Sequence, residues 1–129
     1  MPQEEVSLPR KLLIVDDSKV SRMRIRAFFT AHCPHWTVQE ASAGDEALVM
    51  AAQDKPDFVT MDVNMPGMSG FETAQLMLAR DADIRVVMLT ANIQESSRQV
   101  AASLRLNFVA KPVTEASLTL ALNFLLATP

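Results

Sequence analysis

Four apolar runs in this chain each end in a side chain suited to handling a phosphoryl group. Leu12-Leu13-Ile14-Val15 runs into Asp16-Asp17, and Phe58-Val59-Thr60-Met61 runs into Asp62. Val86-Val87-Met88-Leu89 ends in Thr90, with Ala91 and Asn92 behind it, and Phe108-Val109-Ala110 ends in Lys111-Pro112. Taken singly, each is an ordinary strand end, where turn residues and helix caps are common. As a set they supply a carboxylate nucleophile, acids to hold a cation, and a hydroxyl and an ammonium group for phosphoryl oxygens. Adjacent like charges at a buried strand end are costly unless a cation neutralises them. Carboxylates with no Cys or His beside them suit a hard ion such as Mg²⁺, which takes oxygen ligands at roughly 2.0–2.1 Å.

The set converges only if the four runs are parallel strands, whose carboxyl ends share one edge of a sheet. The patterning predicts that arrangement. Continuous apolar runs mark strands buried on both faces, and a helical segment separates each from the next. Strands are expected at Lys11–Asp16, Thr37–Ala41, Phe58–Asp62, Arg85–Thr90 and Phe108–Ala110. Helices are expected at Ser18–His32, Gly44–Ala52, Phe71–Ala79, Gln94–Leu104 and Thr114–Ala127. The first helix carries Val20, Met23, Ala27 and Ala31 at core spacing, with Asp17 or Ser18 as its cap. Residues 1–10 read as a loose tail ahead of one α/β domain over 11–127, a doubly wound five-stranded parallel sheet.

Asp16-Asp17, Asp62 with Met65-Pro66-Gly67-Met68-Ser69-Gly70, Thr90-Ala91 and Lys111-Pro112 together resemble the receiver domain of bacterial two-component response regulators, the CheY-like family. The resemblance runs from about Lys11 to Ala127 and implies a flavodoxin-like (βα)5 fold with strand order 2-1-3-4-5. It implies that Asp62 is the phosphoacceptor. Asp17, Asp62 and the backbone carbonyl of Asn64 would bind Mg²⁺ directly, with Asp16 acting through water. Thr90 and Lys111 would bind phosphoryl oxygens, and Asn64, Ala91 and Asn92 would neighbour them. Thr90 and Phe108 would form the switch, and Lys111–Pro112 would be a cis peptide. The donor would be a histidine kinase or a histidine phosphotransfer protein.

Composition excludes several other classes. The chain has 129 residues, 49% of them apolar, and a net charge of −3, which offers no basic surface for nucleic acid. Three glycines are too few for a P-loop or dinucleotide fingerprint. Cys33 is the one cysteine, so an internal disulfide is excluded, and with His32 and His35 it makes too small a set for a zinc site. No apolar stretch reaches the roughly 18 residues of a membrane span, and residues 1–10 lack a signal-peptide layout. A cytoplasmic location is expected. Trp36 and the eight methionines read as core and surface filler.

Two surfaces attract partners in this reading. On the last helix Leu118, Leu122 and Leu125 point inward by spacing, leaving Leu120 and Phe124 outward, and Glu115 is the one charge after Val113. A downstream target or a second copy is expected to dock on the fourth helix, fifth strand and fifth helix. On the first helix, Arg22 and Arg26 are one turn apart and suit docking of the phosphodonor, with Arg24 on a solvated face. The turn Ser103-Leu104-Arg105-Leu106-Asn107 lacks the acidic pair that the DNA-binding branch uses to dimerise.

The expected function is a switch: Asp62 gains a phosphoryl group, the surface changes, and hydrolysis resets it. It is not expected to turn over a substrate as an enzyme. Two alternatives remain beside it. The chain could be a receiver cut from a larger regulator or hybrid kinase with its output beyond residue 129, although Met1 and the absence of a linker favour a stand-alone protein. A haloacid dehalogenase-type phosphatase would need an Asp-x-Asp pattern, which Asp16-Asp17-Ser18-Lys19 does not supply.

Overall fold

A computed structural model describes residues 7–91 and 106–127. Five strands, β1 (Lys11–Val15), β2 (Thr37–Ala41), β3 (Phe58–Asp62), β4 (Arg85–Thr90) and β5 (Asn107–Ala110), form one sheet in the order β2-β1-β3-β4-β5. Every pairing is parallel. The helices among the described residues are α1 (Lys19–His32), α2 (Gly44–Gln53), α3 (Gly70–Arg80) and α4 (Glu115–Leu126). The last is the helix counted fifth in the sequence. The helix expected over Gln94–Leu104 lies outside the described residues, as do Asn92 and most of the expected tail.

Alternation along β1 shows how the sheet is covered on both faces. Leu12 and Ile14 face a core built with Ile25, Phe28 and Phe29 of α1 and Leu118, Leu122 and Leu125 of α4. Leu13 and Val15 face the opposite core, with Ala47 and Ala51 of α2 and Ala74 and Met77 of α3. Double coverage is why these strands read as unbroken apolar runs. Helix starts follow local chemistry: the Ser18 and Ser69 hydroxyls accept from the backbone N–H groups of Ser21 and Glu72, each at 3.2 Å. At the other end of α4 the Arg85 guanidinium donates to the Leu125 carbonyl at 2.8 Å, satisfying a last-turn acceptor.

Two packing expectations are corrected. On α1, Val20, Met23, Ala27 and Ala31 are exposed, and the buried face is Ile25, Phe28 and Phe29. Both stripes have helical spacing, but the isoleucine and the two phenylalanines remove far more apolar area from water. On α4, Leu120 points outward and is 46% exposed. Phe124 does not: it is half-buried and packed against the core. The buried arc of α4 extends to Ala121 and Leu126, and beside an alanine a phenyl ring on the flank reaches the core edge.

Candidate functional site

The register of the sheet brings the strand ends together. Val15 pairs with Met61, Asp62 with Leu89, and Thr90 with Ala110, so the residues just beyond each strand lie side by side. Three backbone bonds extend the ladder past the strand ends: Asp16 N–H to Ala41 O at 3.1 Å, Val63 N–H to Leu89 O at 3.0 Å, and Lys111 N–H to Thr90 O at 2.7 Å. The Lys111–Pro112 peptide is cis.

Asp16, Asp17 and Asp62 each offer an oxygen, and these atoms lie within 4.8 Å of one another. Asp16 and Asp62 are buried, whereas Asp17 is exposed. The Lys111 ammonium lies 3.2 Å from Asp16 Oδ2 and 3.3 Å from Asp62 Oδ1. Asp16 is fully engaged: its Oδ1 accepts from Ser18 N–H at 2.9 Å and its Oδ2 from the Ser21 hydroxyl at 2.7 Å. Thr90 is buried at the end of β4, Ala91 is exposed next to it, and Asn64 is exposed in the loop after β3. Phe108 is half-buried, its ring edge-on to Phe71 with centroids 5.6 Å apart.

Loop geometry fixes Asp62 from behind. A Cβ on Gly70 would lie 2.1 Å from the Asp62 carbonyl oxygen, so the start of α3 approaches the strand end as only glycine allows. Gly67, at φ +77°, makes the turn between them.

The electrostatics are unbalanced in one direction. Burial first, and the Asp16 carboxylate second, push the Asp62 carboxyl up to about 6, and the Lys111 ammonium offsets them only in part. Burial works against the Lys111 ammonium too, but Asp16 and Asp62 hold its pKa above the ordinary lysine value. Three crowded carboxylates facing one ammonium make an oxygen-only set with surplus negative charge, which fits a hard divalent cation.

Four residues around this site were not singled out by sequence reasoning in the roles they occupy. Ser21 holds the Asp16 carboxylate, and its signal was the Ser18-x-x-Ser21 spacing at a helix start. Arg22, expected at a docking face, instead donates through Nη1 to the Asp16 carbonyl at 2.7 Å and through Nε to Glu40 at 3.0 Å. Arg26, which stays exposed, also donates to Glu40 at 2.5 Å. The Glu40 carboxylate on β2 thus pairs with both guanidinium groups, of which Arg22 is the more covered. Phe71 is the fourth, and nothing local in the sequence marks it as the neighbour of Phe108.

Comparison with known proteins agrees with this geometry. The family described as response regulator receiver domain matches residues 12–123. PilH of Pseudomonas aeruginosa is 34% identical over 125 residues, covering 91% of this chain and 98% of that protein. A protein-glutamate methylesterase/protein-glutamine glutaminase of Geobacillus kaustophilus is 39% identical over 113 residues, covering 85% of this chain. The chain spans about a third of that longer protein, 32% of its length. The chemotaxis response regulator CheY4 of Vibrio cholerae superposes with a TM-score of 0.80 at 28% identity, over 92% of this chain and all of that one. The chain therefore belongs to the response regulator receiver domains, the phosphorylation-dependent switches of two-component signalling.

Proposed function

We propose that Asp62 is the phosphoacceptor of this receiver and that a phosphohistidine on a histidine kinase or a phosphotransfer protein is its donor. The observation that carries this reading is the position of Asp62: buried at a strand end, with Lys111 at 3.3 Å and two more carboxylates beside it. A carboxylate oxygen of Asp62 attacks phosphorus in line; the new O–P bond forms as the P–N bond breaks, and the electron pair leaves on the donor imidazole nitrogen. Asp17, Asp62 and the Asn64 backbone carbonyl are the residues that would hold Mg²⁺, with Asp16 reaching it through water. Bound there, Mg²⁺ supplies charge neutralisation at the phosphoryl oxygens. Asp16 suits the indirect role, because Ser18, Ser21 and Lys111 already occupy its oxygens.

Lys111 and Thr90 hold the transferred oxygens, and Thr90 with Phe108 relays the change to β5 and α4. Asn64 and Asn92, both neutral, set how fast water removes the phosphoryl group. The output surface includes Leu120 and takes a downstream protein or a second copy. Residues 11–127 form the switch, with 1–10 as a tail, and it works in the cytoplasm beside its donor. The face for the donor is α1. Val20 and Met23 are exposed there, and a groove of about 390 Å³ between α1 and the start of α4 has Ala27, Phe28, Val113 and Leu118 in its lining, with Arg24, His32 and Glu115 among them. An apolar face beside an acidic site suits the side of a helical donor carrying the phosphohistidine.

The test is acetyl phosphate with Mg²⁺, read by intact-mass spectrometry. One base-labile phosphoryl group is expected on the parent and none on Asp62→Asn, because an amide is not a nucleophile here. Undiminished labelling of Asp62→Asn would remove Asp62 from this role.

A further inference from the structure

We propose that Arg22, braced by Glu40, is a positioning residue for the acidic turn: it fixes the Asp16–Asp17 peptide and thereby aims the Asp17 carboxylate. The inference rests on the reading of Asp17 and Asp62 as cation ligands. The Asp16 carbonyl lies one residue beyond β1, where strand pairing of carbonyls has ended, and Arg22 Nη1 reaches it at 2.7 Å. A peptide unit is planar, so gripping the carbonyl oxygen of Asp16 also sets the direction of the N–H and Cα of Asp17. Asp17 is exposed, and packing does little to hold it. The turn is then held at both ends, with the Asp16 carboxylate tied by Ser18 and Ser21 and its carbonyl tied by Arg22.

Glu40 makes this grip rigid. Arg22 Nε donates to Glu40 Oε1 at 3.0 Å, which leaves the guanidinium fork one orientation. The pair is well covered, with side chains 15% and 26% exposed, unlike Arg26 at 44%. Glu40 pairs in register with Ile14, and the next residue, Ala41, accepts the Asp16 N–H. The brace therefore starts from the same stretch of β2 that anchors the turn.

Positioning and simple charge predict opposite signs. Arg22 carries a positive charge near the acids, so if charge were its only effect, removing it would tighten cation binding. Positioning predicts weaker binding whether or not the charge is kept. The experiment is Mg²⁺ titration of the unphosphorylated protein by calorimetry, with amide exchange at Asp17 and Ser18 as a second readout. Arg22→Lys and Arg22→Gln should each weaken Mg²⁺ binding about tenfold, the usual scale for an outer partner of a metal ligand, and speed exchange at those amides. Glu40→Gln should weaken binding about threefold, a direction that loss of its negative charge also gives. If the Arg22 variants do not fold, its faster amide exchange at Asp17 and Ser18, which charge alone does not produce, therefore carries the test, and parent-like exchange there overturns the brace. Lys19→Gln, which removes an exposed charge from the same helix, should bind like the parent. Parent-like or tighter binding in Arg22→Lys, or a loss in Lys19→Gln equal to that in Arg22→Gln, overturns the positioning role. A parent protein that binds no Mg²⁺ would instead overturn the ligand reading on which it rests.

Discussion

Asp62→Asn should make the metal-free protein more stable at neutral pH, even as it abolishes phosphorylation. The Asp62 carboxyl is buried beside Asp16 and titrates near 6 rather than 3.8. A shift of about two units corresponds to roughly 3 kcal/mol between the protonated and charged forms. The sign follows from proton uptake. The folded state holds this proton to higher pH than the unfolded state does, so the stability it confers is complete below pH 4. That stability declines as pH rises and is lost above about 6. Asparagine has no charge to bury, so the variant escapes the loss. In EDTA at pH 7.5 its Tm should exceed that of the parent by about 10 °C, taking roughly 3–5 °C per kcal/mol for a domain of this size. The gap should narrow as pH falls through 6 and close below the ordinary value of 3.8, where the parent carboxyl is protonated in both states. Mg²⁺ should also narrow it, since each tenfold excess over its Kd returns about 1.4 kcal/mol to the parent. Thermal scans of both proteins from just below pH 3.8 to pH 8, with EDTA and with Mg²⁺, measure all of this. A variant no more stable than the parent at pH 7.5 in EDTA would refute the electrostatic account of the site.

The other predictions concern the ligands, the loop and the outer face of α4. Asp17→Asn should weaken Mg²⁺ binding by at least about tenfold in calorimetry, because it removes a charged oxygen ligand. Gly70→Ala should destabilise by about 1–3 kcal/mol in urea titrations and slow phosphorylation, because its Cβ would displace the Asp62 backbone at 2.1 Å. Leu120→Lys should change stability by less than about 0.5 kcal/mol while weakening target binding or self-association, whereas Phe124→Lys should lose about 1–3 kcal/mol through its core contacts.

The strand ends were legible because two simple facts suffice: unbroken apolar runs mark strands covered on both faces, and parallel strands end at one edge. Those facts alone put Asp16, Asp17, Asp62, Thr90 and Lys111 together, and local chemistry narrowed the first helix cap to Asp17 or Ser18, of which Ser18 is the one that caps. The face of α1 was not legible, because it carries two apolar stripes at the same period. Ile25, Phe28 and Phe29 win by area, which spacing does not register. The pairing of Arg22 and Arg26 with Glu40 was not legible for a different reason: their i, i+4 spacing is local, whereas Glu40 is 18 and 14 residues away on a neighbouring strand. Phe124 misled because a flank position is inward or outward according to the size of its neighbour, here Ala121.

Among the described residues, Lys111 is the cation paired with this acidic cluster, and it is already divided between Asp16 and Asp62. A phosphoryl group on Asp62 would bring about −1.5 to −2 more charge, so further donors must approach. Thr90 is the buried hydroxyl at the adjoining strand end. It moves with its backbone, whose carbonyl accepts from Lys111 N–H at 2.7 Å. A shift at Thr90 is therefore felt at the end of β5, two residues from Phe108, whose ring rests against Phe71. In the proposed switch Thr90 and Phe108 lie on the β4–β5 side of the site. On the other side Ser18, Ser21, Arg22 and Glu40 hold the acidic turn still. Under the proposed function, charge added at Asp62 meets an acidic turn tied down at β1 and β2, so its effect is expected along β4, β5 and α4, where Leu120 meets solvent.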